Sequence, residues 1–278
     1  MYYGIYVPNF GDETGVRALA ALAHEAEQAG WDGFFLWDHI LYRASPPVTM
    51  VDPWITLSAV AMLTERIRIG TVVTPLARRH PWQLARETVS LDHLSSGRLI
   101  LGVGLGHPPR IEFAPFGQES DDLVRAEKLD EGLEVLTGLW KGEAFSYQGR
   151  RYRIKKTVFW PPALQQPRIP IWVAGFWPNK APFRRAARWD GVVPLKRGGL
   201  QPDDVEQIKS YVRDHRTSAE PFDIVKIGIT PGEHPARARR IVAPYAEVGA
   251  TWWLESFFTR RNSLEEMRQR IRQGPPRA

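Results

Sequence analysis

Ser96-Gly97-Arg98-Leu99-Ile100-Leu101-Gly102-Val103-Gly104-Leu105-Gly106-His107 is the stretch that decides the fold. An apolar run closes on glycines at every second position. Alternation is the period of a β-strand, so Gly102, Gly104 and Gly106 are expected on one face. Glycine weakens a strand and marks a place where a ligand or another backbone comes close. The stretch reads as a buried parallel strand whose C-terminal end lies open to a planar ligand. The rival reading is a barrel strand whose glycines serve tight packing alone. A dinucleotide fingerprint is excluded: His107 stands where the third glycine belongs, and Pro108-Pro109 follow where a helix would open.

Outward from this strand, apolar strands alternate with amphipathic helices. Strands are expected near Tyr3-Val7, Gly33-Trp37, Ile67-Val73, Leu99-Gly104, Pro170-Ala174, Asp190-Pro194, Ile224-Ile229 and Thr251-Leu254. Helices are expected between them, at Val16-Ala29, Pro53-Leu63, Pro81-Leu94, Arg125-Trp140, Lys180-Arg188, Pro202-Asp214, Pro235-Val248 and Leu264-Arg272. Several open on proline, which suits a first helical turn. Eight β-then-α units in about 270 residues is the arithmetic of an α/β fold of the (β/α)8 TIM-barrel type. The whole chain, 1–278, reads as one domain with an insertion between the fourth and fifth strands. That insertion contains the Pro108-Asp122 loop and a hairpin turning at Gln148-Gly149, placed to cover the barrel mouth. The tail from Gly274 is expected to fray.

In such a barrel chemistry sits at the C-terminal strand ends. Trp37-Asp38-His39 ends the second strand; a histidine beside a carboxylate there suits a general base, with Asp38 able to orient the imidazole. Val173-Ala174-Gly175-Phe176-Trp177-Pro178-Asn179-Lys180 joins the fifth strand to a helix, and free N–H groups at such a turn attract an anion. His107 and Glu255 are further candidates. Glu255 follows two tryptophans, where a raised pKa would make an acid; half of a salt bridge is the alternative.

The Ser96–Gly106 run resembles the S-G-R-x-x-L-G-V-G-x-G signature of the luciferase-like oxidoreductases, which use flavin or the deazaflavin coenzyme F420. The resemblance extends over Gly4–Asn9, Trp37–His39, Ile67–Pro75 and Ile169–Gly191. It implies a flavin-type ring over the barrel mouth, F420 or FMN. His39 then acts as base and Asp38 contacts the cofactor. A non-proline cis peptide is implied at Val72-Val73, beside Thr74. Gly104 and Gly106 lie under the ring, and its phosphate lies near Gly175, Phe176, Trp177 and Asn179. His107 occupies the place of a glutamate in the sugar-phosphate dehydrogenases of the family, which puts sugar-phosphate oxidation in doubt. The leading expectation is hydride transfer between F420 and a small organic substrate. An FMN-dependent monooxygenase, a non-catalytic flavin carrier and a metal-assisted hydrolase are the alternatives.

Composition narrows the classes. The 278 residues are 43% hydrophobic and 24% charged, with net charge +6 and no cysteine, so thiol catalysis and disulfides are excluded. The 29 Arg against 8 Lys are spread through helices, which favours an anionic small molecule over nucleic acid. No apolar run approaches membrane-spanning length, and no signal peptide or metal motif is read. A cytoplasmic enzyme is the expectation, and association with further copies of the chain stays open.

Overall fold

The computed structural model describes residues 1–43, 45–258 and 263–277. In chain order the elements are β1 (Tyr2–Val7), α1 (Val16–Gln28), β2 (Gly33–Leu36), α2 (Pro53–Leu63), β3 (Arg68–Pro75), α3 (Pro81–Leu94), β4 (Leu99–Gly104), α4 (Pro109–Glu112), α5 (Asp122–Trp140), β5 (Ala144–Gln148), β6 (Arg153–Val158), β7 (Ile171–Phe176), α6 (Lys180–Ala186), β8 (Gly191–Leu195), α7 (Pro202–His215), β9 (Asp223–Gly228), α8 (Pro235–Glu247), β10 (Trp252–Ser256) and α9 (Leu264–Arg272). Eight parallel strands close into a barrel in the order β1-β10-β9-β8-β7-β4-β3-β2, with β5 and β6 as a separate two-stranded sheet. This is the expected (β/α)8 architecture.

Alternation along the strands sorts the core into two layers. Phe35, Val72, Ile100, Trp172, Val193, Val225, Trp252 and Leu254 fill the barrel interior. Their strand neighbours, among them Phe34, Leu36, Leu101 and Val103, pack outward against the helices. Helix starts follow local chemistry. Asp52 caps α2, accepting from the amides of Trp54 and Ile55 at 2.9 Å, and Pro53 sits in its first turn. Asp121 caps α5 in the same way.

The signature stretch divides into three roles. Ser96 (φ +53) and Gly97 (φ +80) make the turn into β4. Arg98 is buried, and its guanidinium donates to the carbonyls of Ala61, Thr64, Ile67 and Ser95. The Ser-Gly-Arg half therefore ties the end of α2 to the barrel floor. Gly70 and Gly102 let β3 and β4 approach backbone to backbone; a Cβ at Gly102 would collide with the Thr71 carbonyl. For Gly102, close packing alone accounts for the glycine.

Three expectations are corrected. The Pro108–Asp122 loop contains a short helix, α4, and a 3-10 turn at Ala114–Phe116. The β5–β6 hairpin lies along α5 rather than over the mouth: Glu131 accepts from the amides of Arg150, Arg151 and Tyr152, and Glu127 pairs with both arginines. The tail is tied down, with Pro276 buried and Arg277 paired to Asp32 at 2.6 Å; Ala278 lies outside the described residues.

Candidate active site

His39 follows β2 at the C-terminal end of the barrel, where its backbone is fixed from both sides. Asn9, fully buried after β1, donates from Nδ2 to the His39 carbonyl at 2.8 Å and accepts from the His39 amide at 3.2 Å. The imidazole has a carboxylate partner: His39 Nδ1 stands 2.6 Å from Glu112 Oε1. Glu112 is 0% exposed at the end of α4, and its second oxygen accepts from Arg78 Nη1 at 2.5 Å. Arg78 also reaches Asp38 Oδ1 at 2.6 Å, and Arg79 reaches the same atom at 3.0 Å. Two carboxylates and two guanidiniums thus cancel in a buried chain from Asp38 through Arg78 and Glu112 to His39. Buried charge survives only when paired in this way.

Asp38 is the anchor of that chain. Its Oδ2 accepts from the Thr74 hydroxyl at 2.9 Å and from Trp54 Nε1 at 3.3 Å. Burial alone would raise its carboxyl; the Arg79 and Arg78 guanidiniums, with bonds from Arg79 and Thr74, outweigh burial and hold it below the usual range. Beside His39 a cavity of about 430 Å³ opens between the loops after β2 and β3, lined among others by Met50, Asp52, Arg79, His80 and Glu87.

The rim of the mouth has two unlike halves. On the β3–β4–β7 side the interior positions are narrow: Val73, Gly104 and Ala174, with a Cβ at Gly104 falling 2.8 Å from Val73 and 3.7 Å from Ala174. The Val72–Val73 peptide is cis and the β3–β4 register shifts between Thr71 and Thr74. On the β1–β2–β10 side stand Tyr6, Phe10, Trp37, Tyr42 and Phe258, packed ring to ring, with Phe10, Trp37 and Tyr42 against the imidazole.

A model of the luciferase-like monooxygenase family matches residues 1–274. The chain belongs to that family. An uncharacterised protein of Mycobacterium tuberculosis (strain ATCC 25618 / H37Rv) is 32% identical over 197 residues, 62% of this chain and 64% of that protein, so the match spans less than two thirds of the relative. An F420-dependent glucose-6-phosphate dehydrogenase of Nakamurella multipartita is 33% identical over 174 residues, 60% of this chain and 49% of that protein. Among solved structures, the coenzyme F420 dependent tetrahydromethanopterin reductase of Methanopyrus kandleri superposes with a TM-score of 0.78 at 15% identity, covering 98% of each chain. That last likeness is one of fold.

Within this luciferase-like barrel the sequence candidates separate. Val73 and Gly104 lie side by side on the β3–β4 rim, Val72 belongs to the interior fill, and Thr74 is buried on Asp38, the residue before His39. Asp38 is adjacent, but it faces Arg78, Arg79, Thr74 and Trp54. The carboxylate that orients His39 is Glu112. Gly106 does not continue the strand face: its φ is +82, and a side chain there would meet Phe113 and Pro75, each at 2.8 Å. Gly175 lies against Pro182 of α6, and Trp177 is buried core, edge-on to Phe183 with the Lys180 ammonium 3.6 Å from its ring. Asn179 caps α6, accepting from the Ala181 amide at 3.3 Å. Phe176 and His107 stand exposed at the rim, their rings 6.3 Å apart. Glu255 alternates with the interior Leu254 and so faces outward. It accepts from the Thr230 amide and hydroxyl at 2.8 Å and pairs with Arg270 at 3.4 Å; the salt-bridge reading fits it.

Sequence reasoning missed Asn9, Arg78 and Glu112. Arg78-Arg79 carried a signal: two cations directly after a barrel strand need anionic partners. Glu112, 73 residues from His39, carried none.

Proposed function

We propose that this protein is an oxidoreductase that moves hydride between coenzyme F420 and a small organic substrate, with His39 as the base. The single observation that carries the reading is the buried Glu112–His39 pair at the barrel mouth. A bound deazaflavin ring supplies the hydride acceptor or donor; Val73, Gly104 and Ala174 offer the narrow face on which a flat ring of that kind fits.

The rest follows from this chain's own groups. Glu112, held by Arg78, accepts a hydrogen bond from His39 Nδ1–H. That leaves the lone pair on Nε2. His39 Nε2 takes the proton of a substrate hydroxyl as hydride leaves the carbon, and returns it in the reverse direction. Glu112 fixes the tautomer and steadies the imidazolium, as an acid behind a catalytic histidine does. The cavity beside His39 provides the route by which the proton reaches solvent. Oxygen activation on FMN, as the family's description suggests, asks less of a base; a charge-anchored histidine favours proton transfer.

The test is His39→Asn. Cofactor affinity should stay within about threefold of the parent while turnover falls by roughly 100–10,000-fold. Parent-like turnover in the folded variant would remove His39 from the reaction.

A further inference from the structure

We infer that the half of the mouth built from β1, β2 and the segment after β10 is a seat for a neutral, flat, largely apolar substrate, not for a phosphorylated or otherwise anionic one. This inference rests on the reading of His39 as the base, because it takes the surface touching that imidazole as the place where the reacting carbon lies.

Three rings meet the His39 imidazole, and two more, Tyr6 and Phe258, extend the cluster through Trp37. Tyr6 and Trp37 are 5.3 Å apart, Phe10 and Trp37 5.7 Å, and Trp37 and Phe258 4.9 Å; Phe10 stacks on Tyr42 at 3.9 Å. The imidazole joins them, 5.4 Å from Trp37, 5.9 Å from Phe10 and 6.2 Å from Tyr42. Tyr6, Trp37, Tyr42 and Phe258 are only half-buried, so the cluster presents ring surface as well as packing on itself. The rings come from three separate parts of the chain; Phe10, Trp37 and Tyr42 meet the imidazole, while Tyr6 joins the cluster to the barrel interior.

The opposite half of the rim is lined by Val73, Gly104 and Ala174. The narrow half leaves depth for a cofactor ring and the aromatic half supplies a wall. A substrate between them, within reach of His39, has aromatic surface on its far side. Flat apolar molecules gain from offset or edge-to-face contact with such rings.

Charge points the same way. Among the described residues, cations that face aromatic rings face others, such as Trp54, Phe113 and Trp177. Arg78 and Arg79, the cations of the chain that ends at His39, are already committed to Asp38 and Glu112. Burial pushes the Tyr6 phenol up, so that ring stays uncharged across the neutral range. A phosphate set against these ring faces would lose hydration, and an aromatic face offers no hydrogen-bond donor to replace it.

The experiment is calorimetric titration of the purified protein with 2-naphthol, 1-naphthyl phosphate and glucose 6-phosphate, with the His39 imidazole NMR signals followed in parallel. We expect 2-naphthol to bind and to shift the His39 signals, and both phosphates to bind at least tenfold more weakly. Tyr42→Leu and Phe258→Leu, both at the half-buried edge of the cluster, should each weaken 2-naphthol at least fivefold. Trp160→Leu, at a side chain 72% exposed on another face, should leave it unchanged. Tighter binding of either phosphate, no 2-naphthol binding, or binding indifferent to Tyr42→Leu and Phe258→Leu overturns the inference. Separate titration with F420 keeps the two claims apart. Cofactor binding without 2-naphthol binding sinks this inference alone; 2-naphthol binding at the wall with no cofactor binding sinks the proposed function alone.

Discussion

Glu112→Gln isolates the role of the buried carboxylate, because it keeps the volume and removes the charge. Glu112 accepts on both oxygens, from His39 at 2.6 Å and Arg78 at 2.5 Å. An amide has one acceptor and one donor to offer these two positions. With the amide oxygen toward Arg78, the NH2 faces His39 Nδ1, which must then accept. The imidazole proton moves to Nε2, and the lone pair needed for the substrate proton is gone. With the oxygen toward His39, the NH2 meets the Arg78 guanidinium, donor against donor in a buried site. The second orientation leaves a buried donor unsatisfied, at a cost of about 1–3 kcal/mol of stability, so the first is favoured. Reversal of the tautomer costs turnover about 100–10,000-fold, or roughly 3–5 kcal/mol of transition-state stabilisation. Glu112→Asp restores the charge with a shorter reach and should recover part of the rate. Turnover is read from cofactor absorbance, and the tautomer from imidazole 15N shifts. A folded Glu112→Gln protein with parent-like turnover and the proton still on Nδ1 would refute the reasoning.

Gly104→Val should fill the narrow arc beside Val73 and Ala174 and weaken cofactor binding by about tenfold or more, measured by fluorescence titration. Gly106→Val should act on the fold instead, costing about 1–3 kcal/mol in denaturant unfolding, because φ is +82 and Phe113 and Pro75 occupy the space. Lys226 points outward from β9, and burial pushes its ammonium down to about 8. Between pH 8 and the unfolded value the unfolded chain binds more protons, so stability rises with pH across that window. Lys226→Met should therefore stabilise the protein by about 1–3 kcal/mol below pH 8, and the gain should shrink as pH approaches 10, read from urea melts at both ends. A gain that does not change with pH would assign the effect to packing.

The strands and most helices were legible because their signals are local: alternation, a 3.6-residue stripe, proline and aspartate at helix starts. The site was legible only to the level of the strand end. Asp38 and His39 are adjacent, and adjacent residues in extended chain face opposite sides. That rule already told against Asp38 as the partner of His39, and it places Glu255 outside the barrel. Glu112 was beyond reach. It sits on a four-residue helix in a proline-rich loop, and only the closed barrel brings that loop over β2. Gly106 and Trp177 failed for a shared reason. Motif position says that a residue lies near the mouth, but not whether its side of the chain faces ligand or protein.

The central claim is that a flavin-type ring lies on the β3–β4–β7 arc within reach of His39. Titration of the purified protein with oxidised F420, and separately with FMN, tests it most directly, with the His39 imidazole signals monitored throughout. The account predicts saturable binding of F420, tighter than FMN, that shifts the His39 signals and is weakened by Gly104→Val. Folded protein that binds neither molecule, or that binds F420 with the His39 signals unmoved, contradicts it.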